Sequence, residues 1–183
     1  MGHAEVQKAL EKLARTLDAL GVPYAIIGAM ALNEFGYQRV TVDVDVLLTA
    51  DGLAAFKASM LGQGYIEKFP GSRGLRDVEH GVNIDVVLAG SYPGDGQPKP
   101  VAFPDPATAA ERGARIALLP LATLIELKLA SGISAPHRLK DLADVLELVR
   151  TLDLSADLAA DLNPYVREKY LDLWRAAQTD DPE

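Results

Sequence analysis

The chain has no cysteine, no long apolar run and fewer basic than acidic side chains. Without cysteine it can form neither a disulfide nor a thiolate metal site, which fits the cytoplasmic location that we expect. No apolar stretch approaches the roughly 20 residues of a membrane-spanning helix, so we expect no membrane partner. The first residues are not followed by an apolar segment, and we therefore do not expect them to form a signal peptide.

The shortage of basic residues gives a formal net charge of −8, from 26 acidic and 18 basic side chains. Residues 151–183 hold eight acidic and three basic side chains, so residues 1–150 carry only −3. This is not the basic surface of a protein that reads nucleic-acid sequence, although it leaves room for a local basic groove. The length of 183 residues and the hydrophobic content of 49% are enough for one domain with a sizeable core.

The central pattern is Val42–Leu48, which reads Val-Asp-Val-Asp-Val-Leu-Leu. Its alternation predicts a strand with Asp43 and Asp45 on one face and the apolar residues, beginning with Val42, on the core face. Two neighbouring carboxylates repel each other and resist burial, and a divalent cation relieves both costs. The strand alone is equally compatible with an exposed edge that simply carries two aspartates.

A second alternating segment, Val82–Leu88, sets Asp85 on a polar face and forms a predicted hairpin with Leu75–Glu79. If this segment lies beside the first strand, three carboxylates gather on one sheet face. Such a cluster can hold two divalent ions about 3.5–4 Å apart, which clamp both oxygens of an in-line phosphoryl displacement. Asp85 alone could equally be an exposed strand residue. His80 lies in the hairpin turn, and we assign it no role because the histidines lack metal-ligand spacing.

A short apolar strand, Tyr24–Ile27, runs into Gly28-Ala29 and a helix predicted over Ala29–Phe35. Small residues at such a turn let backbone N–H groups approach a phosphate, and the start of a helix favours anions. The turn is a weak signal by itself, but here it lies 14 residues before the aspartate strand.

Helical periodicity and capping residues predict six further helices. They are Glu5–Leu20, Gly52–Leu61 with Asp51 as its N-cap, Thr108–Arg115, Leu121–Ser131, Arg138–Arg150 and Tyr165–Ala177. Short strands are predicted over Tyr65–Lys68 and Ile116–Leu119, and the last residues, Thr179–Glu183, are expected to fray. Lys128 stands on an otherwise apolar helix, so its ammonium needs an anion, and a phosphate is a good one.

Taken together, Gly28-Ala29, thirteen intervening residues and Asp43-Val44-Asp45-Val46 resemble the signature of nucleotidyltransferases of the DNA polymerase beta superfamily. The flanking residues Ile27–Leu32 and Arg39–Asp45 are most similar to the abortive-infection, toxin–antitoxin branch. One position departs from the signature, because Ala29 stands where the family has glycine or serine. Its methyl group cannot hydrogen-bond a phosphate, so we expect weaker or altered nucleotide binding.

The C-terminal half adds a second motif. Glu126–Ala130 followed by Arg138–Asp144 is similar to the helical motif of the same branch, and the resemblance covers about Val22–Leu148. It implies a nucleotidyltransferase-like domain over residues 1–150, with residues 151–183 as a C-terminal helical extension of that domain. The implied fold is α/β: a small mixed sheet carries the carboxylates on one face, helices cover the other face, and a helical part closes the cleft.

The resemblance also implies an activity. The chain would move a nucleoside monophosphate from a nucleoside triphosphate to a hydroxyl of an RNA, a protein or a small molecule, as the toxin of a toxin–antitoxin pair. Two ions of Mg²⁺ or Mn²⁺ would serve as cofactors, and an antitoxin would be a possible partner. The alternative is a catalytically silent nucleotide-binding or regulatory module on the same fold.

The resemblance assigns roles to individual residues. Asp43, Asp45 and Asp85 would be the metal ligands and catalytic groups, with Asp85 also helping to deprotonate the acceptor. The nucleotide-binding residues would be Gly28, Ala29, Arg39, Thr41, Lys128, Lys140 and Asp141. For the polar members of this second set the ordinary alternative stays open: Arg39 and Thr41 as surface residues, Lys140 and Asp141 as solvated helix charges.

Overall fold

The computed structural model describes residues 3–179, and the chain forms two compact units. The first, which we call the sheet unit, comprises Met1–Glu34, Gln38–Gly90 and Pro104–Leu119. The second, the helical unit, comprises Phe35–Tyr37, Ser91–Phe103 and Pro120–Glu183. The boundary expected near residue 150 stays a prediction.

The sheet unit contains four helices and seven strands among the described residues. In chain order they are α1 (His3–Leu20), β1 (Ala25–Ile27), α2 (Gly28–Glu34), β2 (Asp43–Leu48), α3 (Ala50–Met60), β3 (Tyr65–Glu67), β4 (Leu75–Asp77), β5 (Val82–Leu88), α4 (Pro106–Ala109), β6 (Glu111–Arg112) and β7 (Ala117–Leu118). The strands form one sheet in the order β3-β4-β5-β2-β1-β7-β6. The sheet is mixed, because β2 pairs parallel with β5 and β1 pairs parallel with β7, whereas the other pairs are antiparallel.

The core of the sheet unit lies on the apolar face of the sheet. Val44, Val46 and Ile84 are fully or almost fully buried there, as the alternation of the sequence predicts. Helix α1 contacts β2 and β5, and α3 contributes Phe56, whose ring meets that of Tyr65 edge to face with the centroids 5.0 Å apart. The opposite face of the central strands is therefore the one that carries the polar side chains.

The helical unit contains three α-helices among its described residues, and the segments that connect them include 3₁₀ turns. The helices are α5 (Leu121–Ser134), α6 (Leu139–Leu152) and α7 (Pro164–Ala177), with 3₁₀ turns at Pro136–Arg138 and Ala156–Asp161. The aromatic side chains of α7 fix it to the preceding segment: Tyr170 Oη donates to the Ser155 carbonyl at 2.9 Å, and Trp174 Nε1 donates to the Leu154 carbonyl at 2.9 Å. Along residues 3–179, no helix combines the length and apolar character needed to cross a bilayer.

Two local predictions about strand and helix starts are wrong. The aspartate strand begins at Asp43, and Val42 is 66% exposed because it precedes the paired part of the strand. The N-cap of α3 is Thr49, whose hydroxyl accepts a hydrogen bond from the Gly52 N–H at 2.9 Å, and Asp51 lies inside the first turn. Both residue types cap helices well, so the sequence alone does not decide between them.

The helix predicted over Thr108–Arg115 is also wrong. A single turn, Pro106–Ala109, is capped by Asp105, and the chain then enters the edge strand β6. Strand pairing between β6 and β7 overrides the helical preference of the segment, as tertiary contacts often do for short elements. The fraying expected for Thr179–Glu183 falls almost entirely outside the described residues.

Candidate functional site

Three aspartates meet on one face of the sheet. Strands β2 and β5 are neighbours, and their register sets Asp45 opposite Asp85 and Asp43 opposite Asn83. All three aspartates are half-buried and alternate with buried apolar residues. Because paired strands lie about 4.8 Å apart, the carboxylates of Asp45 and Asp85 can reach a common ligand. We call this surface, which carries Asp43, Asp45 and Asp85, the aspartate face.

Gly28 adjoins this face at the end of β1. Ile27 lies opposite Asp45, and Gly28 follows directly as the first residue of α2. Its φ of +67° is one that residues with a side chain rarely adopt, and a Cβ at this position would lie 2.0 Å from Asp45 Oδ2. The space left by the missing side chain therefore holds the Asp45 carboxylate. Ala29, the next residue, is buried.

Asp85 has a partner that the sequence analysis missed. The Lys68 ammonium forms an ion pair with Asp85 Oδ1, and both side chains are partly exposed to solvent. On the same face, Arg76 Nη1 lies 3.4 Å from Asn83 Oδ1. The sequence shows Lys68 only as the end of a short predicted strand. The pairing of β3, β4 and β5 is what directs it toward the carboxylates.

The donor set of the aspartate face suits a divalent cation. It offers only carboxylate oxygens, which are the ligands that Mg²⁺ and Mn²⁺ prefer. Its carboxylate oxygens lie farther apart than in a filled metal site. Among residues 3–179, the group whose ligand atoms all lie within 4.8 Å of one another is a different one: Asp77, Glu79 and His80. Asp45 and Asp85 are half-buried on facing strand positions, and other staggered rotamers of such side chains would bring their carboxylates closer together.

The Asp77, Glu79 and His80 group belongs to the opposite, apolar face, where it forms a cluster with Lys12 of α1. Asp77 is fully buried, and its carboxylate accepts from Lys12 Nζ at 2.5 Å and lies 2.5 Å from His80 Nδ1. Lys12 also pairs with Glu79 at 2.9 Å. This geometry could hold a metal ion, but the Lys12 ammonium already pairs with both of its carboxylates. The spacing Asp-x-Glu-His was the signal that sequence reasoning left without a role.

Arg39 and Thr41 lie in the segment before β2. The backbone of Arg39 is bound to the Asn33 side chain, which accepts from the Arg39 N–H at 2.6 Å and donates to its carbonyl at 3.1 Å. The Thr41 hydroxyl exchanges hydrogen bonds with the backbone of Asp43 at 3.2 and 3.3 Å. These hydrogen bonds hold the segment that leads into the aspartate strand. The contacts of Arg39 and Thr41 with a nucleotide stay predictions.

Lys128, Lys140 and Asp141 lie in the helical unit. Lys128 of α5 finds its anions on α6, since its ammonium lies 3.1 Å from Asp141 Oδ1 and 2.8 Å from Asp144 Oδ2. Asp141 is buried and also accepts from the Ser131 hydroxyl at 2.6 Å. Lys140 is exposed. The negative charge that Lys128 needs is thus supplied by Asp141 and Asp144. Contact of Lys128, Lys140 or Asp141 with a nucleotide stays a prediction.

Acidification is expected to destabilise the protein below about pH 4. Burial by itself raises the pKa of Asp77 and of Asp141, but the nearby Lys12 and Lys128 outweigh it, and the pKa of each carboxyl lies below its ordinary value of 3.8. Each carboxylate therefore stabilises the fold above its unfolded pKa and loses this contribution as the pH falls through its lower, folded-state pKa. Thermal unfolding at pH 7 and pH 3 measures the effect, and equal melting temperatures would contradict it.

This chain is similar to known proteins in its structure, whereas its sequence matches none of the family models or curated proteins compared. The structure of ANT(2″)-Ia in complex with adenylyl-2″-tobramycin matches with a TM-score of 0.55 at 13% identity, over 97% of this chain and 100% of that one. A presumed nucleotidyltransferase from H. pylori matches with a TM-score of 0.51 at 14% identity, over 97% and 95%. An antigenic nucleotidyltransferase-like protein from Paracoccidioides brasiliensis matches with a TM-score of 0.50 at 18% identity, over 81% and 77%.

These similarities confirm the fold class. Two of the three structures are described as a nucleotidyltransferase or as similar to one, and the other, ANT(2″)-Ia, contains an adenylylated tobramycin. This chain covers ANT(2″)-Ia and the H. pylori structure almost completely. Matches at such low sequence identity show that the folds are alike. They do not show that the sites are alike, because the chemistry of a site depends on individual side chains. The mixed sheet with helices on its apolar face is the α/β nucleotidyltransferase fold that the sequence resemblance implies.

Proposed function

We propose that this chain is a metal-dependent nucleotidyltransferase, which moves a nucleoside monophosphate from a nucleoside triphosphate to an acceptor hydroxyl. The single observation that carries the proposal is the parallel register of β2 and β5, which sets Asp45 beside Asp85 with Asp43 on the same face. The nucleotidyltransferase fold supports it. Three carboxylates on one face of this fold are the ligands that the reaction needs.

The proposed chemistry is a single in-line displacement. The acceptor oxygen bonds to the α-phosphorus, the bond from that phosphorus to the bridging oxygen breaks, and pyrophosphate leaves. The hydroxyl proton passes to the Asp85 carboxylate. Asp43, Asp45 and Asp85 would hold Mg²⁺ or Mn²⁺, which when bound would neutralise the phosphates and the leaving group. The backbone N–H groups at Gly28 and Ala29 would bind the triphosphate.

Two features of the sequence bear on the acceptor, and they favour different classes of molecule. The motifs Gly28–Asp45 and Glu126–Asp144 support the toxin–antitoxin branch, with an RNA or protein acceptor and an antitoxin partner. The net charge of −8 argues against a large RNA, because phosphate contacts need lysine and arginine. A small cationic acceptor fits an acidic protein better, and one structural neighbour was solved with an adenylylated tobramycin.

The second candidate is a nucleotide-binding or regulatory module without turnover. The observation that favours it is Ala29, which lacks the hydroxyl of a serine at the position where a phosphate would bind. The Lys68 ammonium on Asp85 favours it as well, since it occupies one of the proposed metal ligands. The two candidates differ in whether a labelled nucleotide becomes covalently attached to an acceptor.

Asp43→Asn and Asp45→Asn are each expected to lower nucleotide transfer roughly 100-fold, as the loss of one charge-stabilising group typically does. Asparagine keeps the shape of the side chain and removes the negative charge that holds a cation. Transfer is measured as Mg²⁺-dependent incorporation of α-labelled nucleotide into RNA, protein or aminoglycoside. Asp51→Asn, an exposed aspartate of α3, is the matched control and should retain full activity.

The same assay separates the two candidates. Incorporation that requires both Asp43 and Asp45 supports the enzyme. If none of the four nucleoside triphosphates is incorporated into any acceptor class, the enzyme proposal fails. A rise in melting temperature on addition of a triphosphate and Mn²⁺, without incorporation, would then support the silent module.

A further inference from the structure

Lys68 reaches Asp85 from two strands away. It follows β3 directly, and its backbone N–H donates to the Gly74 carbonyl at 3.1 Å, which extends the pairing of β3 with β4 by one residue. Its ammonium forms an ion pair with Asp85 of β5. Paired strands lie about 4.8 Å apart, so the two side chains together span roughly 10 Å across the aspartate face.

A glycine lies beneath this contact. Continuing the register of β4 and β5 by one residue sets Gly74 between Lys68 and Asp85, so that one row of the sheet reads Lys68, Gly74, Asp85, Asp45. A Cβ on Gly74 would lie 2.9 Å from Lys68 Cδ. The lysine stem therefore lies in the space that a side chain at residue 74 would need. The path of Lys68 to the carboxylate is built into the sheet.

The Lys68 ammonium lies at the proposed metal site, because it pairs with Asp85, one of the three proposed metal ligands. The aspartate face carries three negative charges, and Lys68 neutralises one of them. The Lys68 and Asp85 side chains are 28% and 48% exposed, so the ammonium can leave without disturbing the core. An ammonium held at Asp85 Oδ1 and a divalent ion repel each other, and they compete for the single negative charge of this carboxylate.

We propose that Lys68 is a built-in counter-ion of the metal site, which competes with the divalent cation for the negative charge of Asp85. This inference rests on the proposed function, because it takes the aspartate face as the metal site. It deepens that function by making the affinity for the ion depend on a residue that is not one of its ligands. Loss of the ammonium should therefore strengthen metal binding.

The experiment is a titration with Mn²⁺ alone, in which free Mn²⁺ is followed by its electron paramagnetic resonance signal. Lys68→Met is expected to bind Mn²⁺ about fivefold more tightly than the unmodified chain, because the ion no longer competes with an exposed ion pair whose contribution reaches about that factor. Gly74→Ala keeps every charge but displaces the lysine stem, and it should tighten binding in the same direction by a smaller factor. Lys8→Met removes an exposed lysine that pairs with Glu5 on α1, and it should leave the affinity unchanged.

Asp45→Asn separates failure of the inference from failure of the proposed function. If the unmodified chain binds Mn²⁺ through Asp45, and Lys68→Met binds it equally or more weakly, the inference is overturned and the proposed metal site stands. If neither protein binds Mn²⁺ in an Asp45-dependent manner, the metal site fails and the inference fails with it. Melting curves verify that each variant is folded. If Lys68→Met does not fold, the Mn²⁺ affinity of Gly74→Ala tests the inference, and binding no tighter than in the unmodified chain overturns it.

Discussion

Replacing Gly28 by alanine is expected to lower nucleotide transfer roughly 1,000-fold. The new Cβ would lie 2.0 Å from Asp45 Oδ2, so the carboxylate has to move out of its position on the aspartate face. The φ of +67° adds strain, since alanine in the left-handed region costs about 1–2 kcal/mol. The variant therefore combines a displaced metal ligand with a disturbed start of α2. The labelled-nucleotide assay and a thermal unfolding curve measure the two effects.

Gly21→Ala is the matched control for the backbone strain. Gly21 has nearly the same φ, +66°, but nothing lies within 4 Å of the position where its Cβ would stand. It should therefore lose a similar amount of stability from strain and keep its activity. Equal activity of Gly28→Ala and Gly21→Ala would show that the Asp45 position is not needed for transfer.

Lys128→Met is expected to destabilise the helical unit by about 3 kcal/mol, the loss that follows when a buried ion pair is left with one partner. The Lys128 side chain is only 12% exposed, and it holds the buried Asp141 and Asp144 of α6 against α5. Without the ammonium both carboxylates lose a counter-charge in a poorly solvated position. A drop of roughly 6–12 °C in melting temperature corresponds to this loss.

Lys140→Met is the matched control, and it tests whether the loss of stability in Lys128→Met comes from the buried ion pair or from the loss of a positive charge anywhere in the helical unit. It removes the same charge from the first turn of α6, but Lys140 is exposed, so its melting temperature should match that of the unmodified chain. If Lys128→Met melts at the unmodified temperature yet binds triphosphates more weakly, Lys128 serves a nucleotide and not the packing of α5 on α6. That result would favour the role that the sequence resemblance assigns to it.

Strand alternation explains why the aspartate face could be predicted in outline. Apolar and polar residues alternate in Asp43–Val46 and in Val82–Val86, and this two-residue period fixes which residues share a face. The helices α1, α5, α6 and α7 were likewise predicted within a few residues, because their apolar stripes extend over three or more turns. The short elements were less well predicted. In Thr108–Arg115, pairing with β7 outweighed local preference.

Charged partners distant along the chain were beyond local sequence reasoning. Lys68 and Asp85 are 17 residues apart, and Lys12 and Asp77 are 65 apart. The sequence shows that each of these groups needs an opposite charge, but it does not show which of many candidates supplies it. Lys128 illustrates the point, since the demand for an anion was correct and the anion in the structure is a pair of aspartates of α6.

The sequence by itself determined the faces of the strands and the spacing between Gly28 and the aspartate strand, because both follow from local geometry. The tertiary structure decided which strands are neighbours, and with that the register that joins Lys68, Gly74, Asp85 and Asp45 in one row. Strand order depends on hydrogen bonds between segments that are far apart in the chain. No periodicity within a segment encodes that order, so it emerges only when the whole sheet assembles.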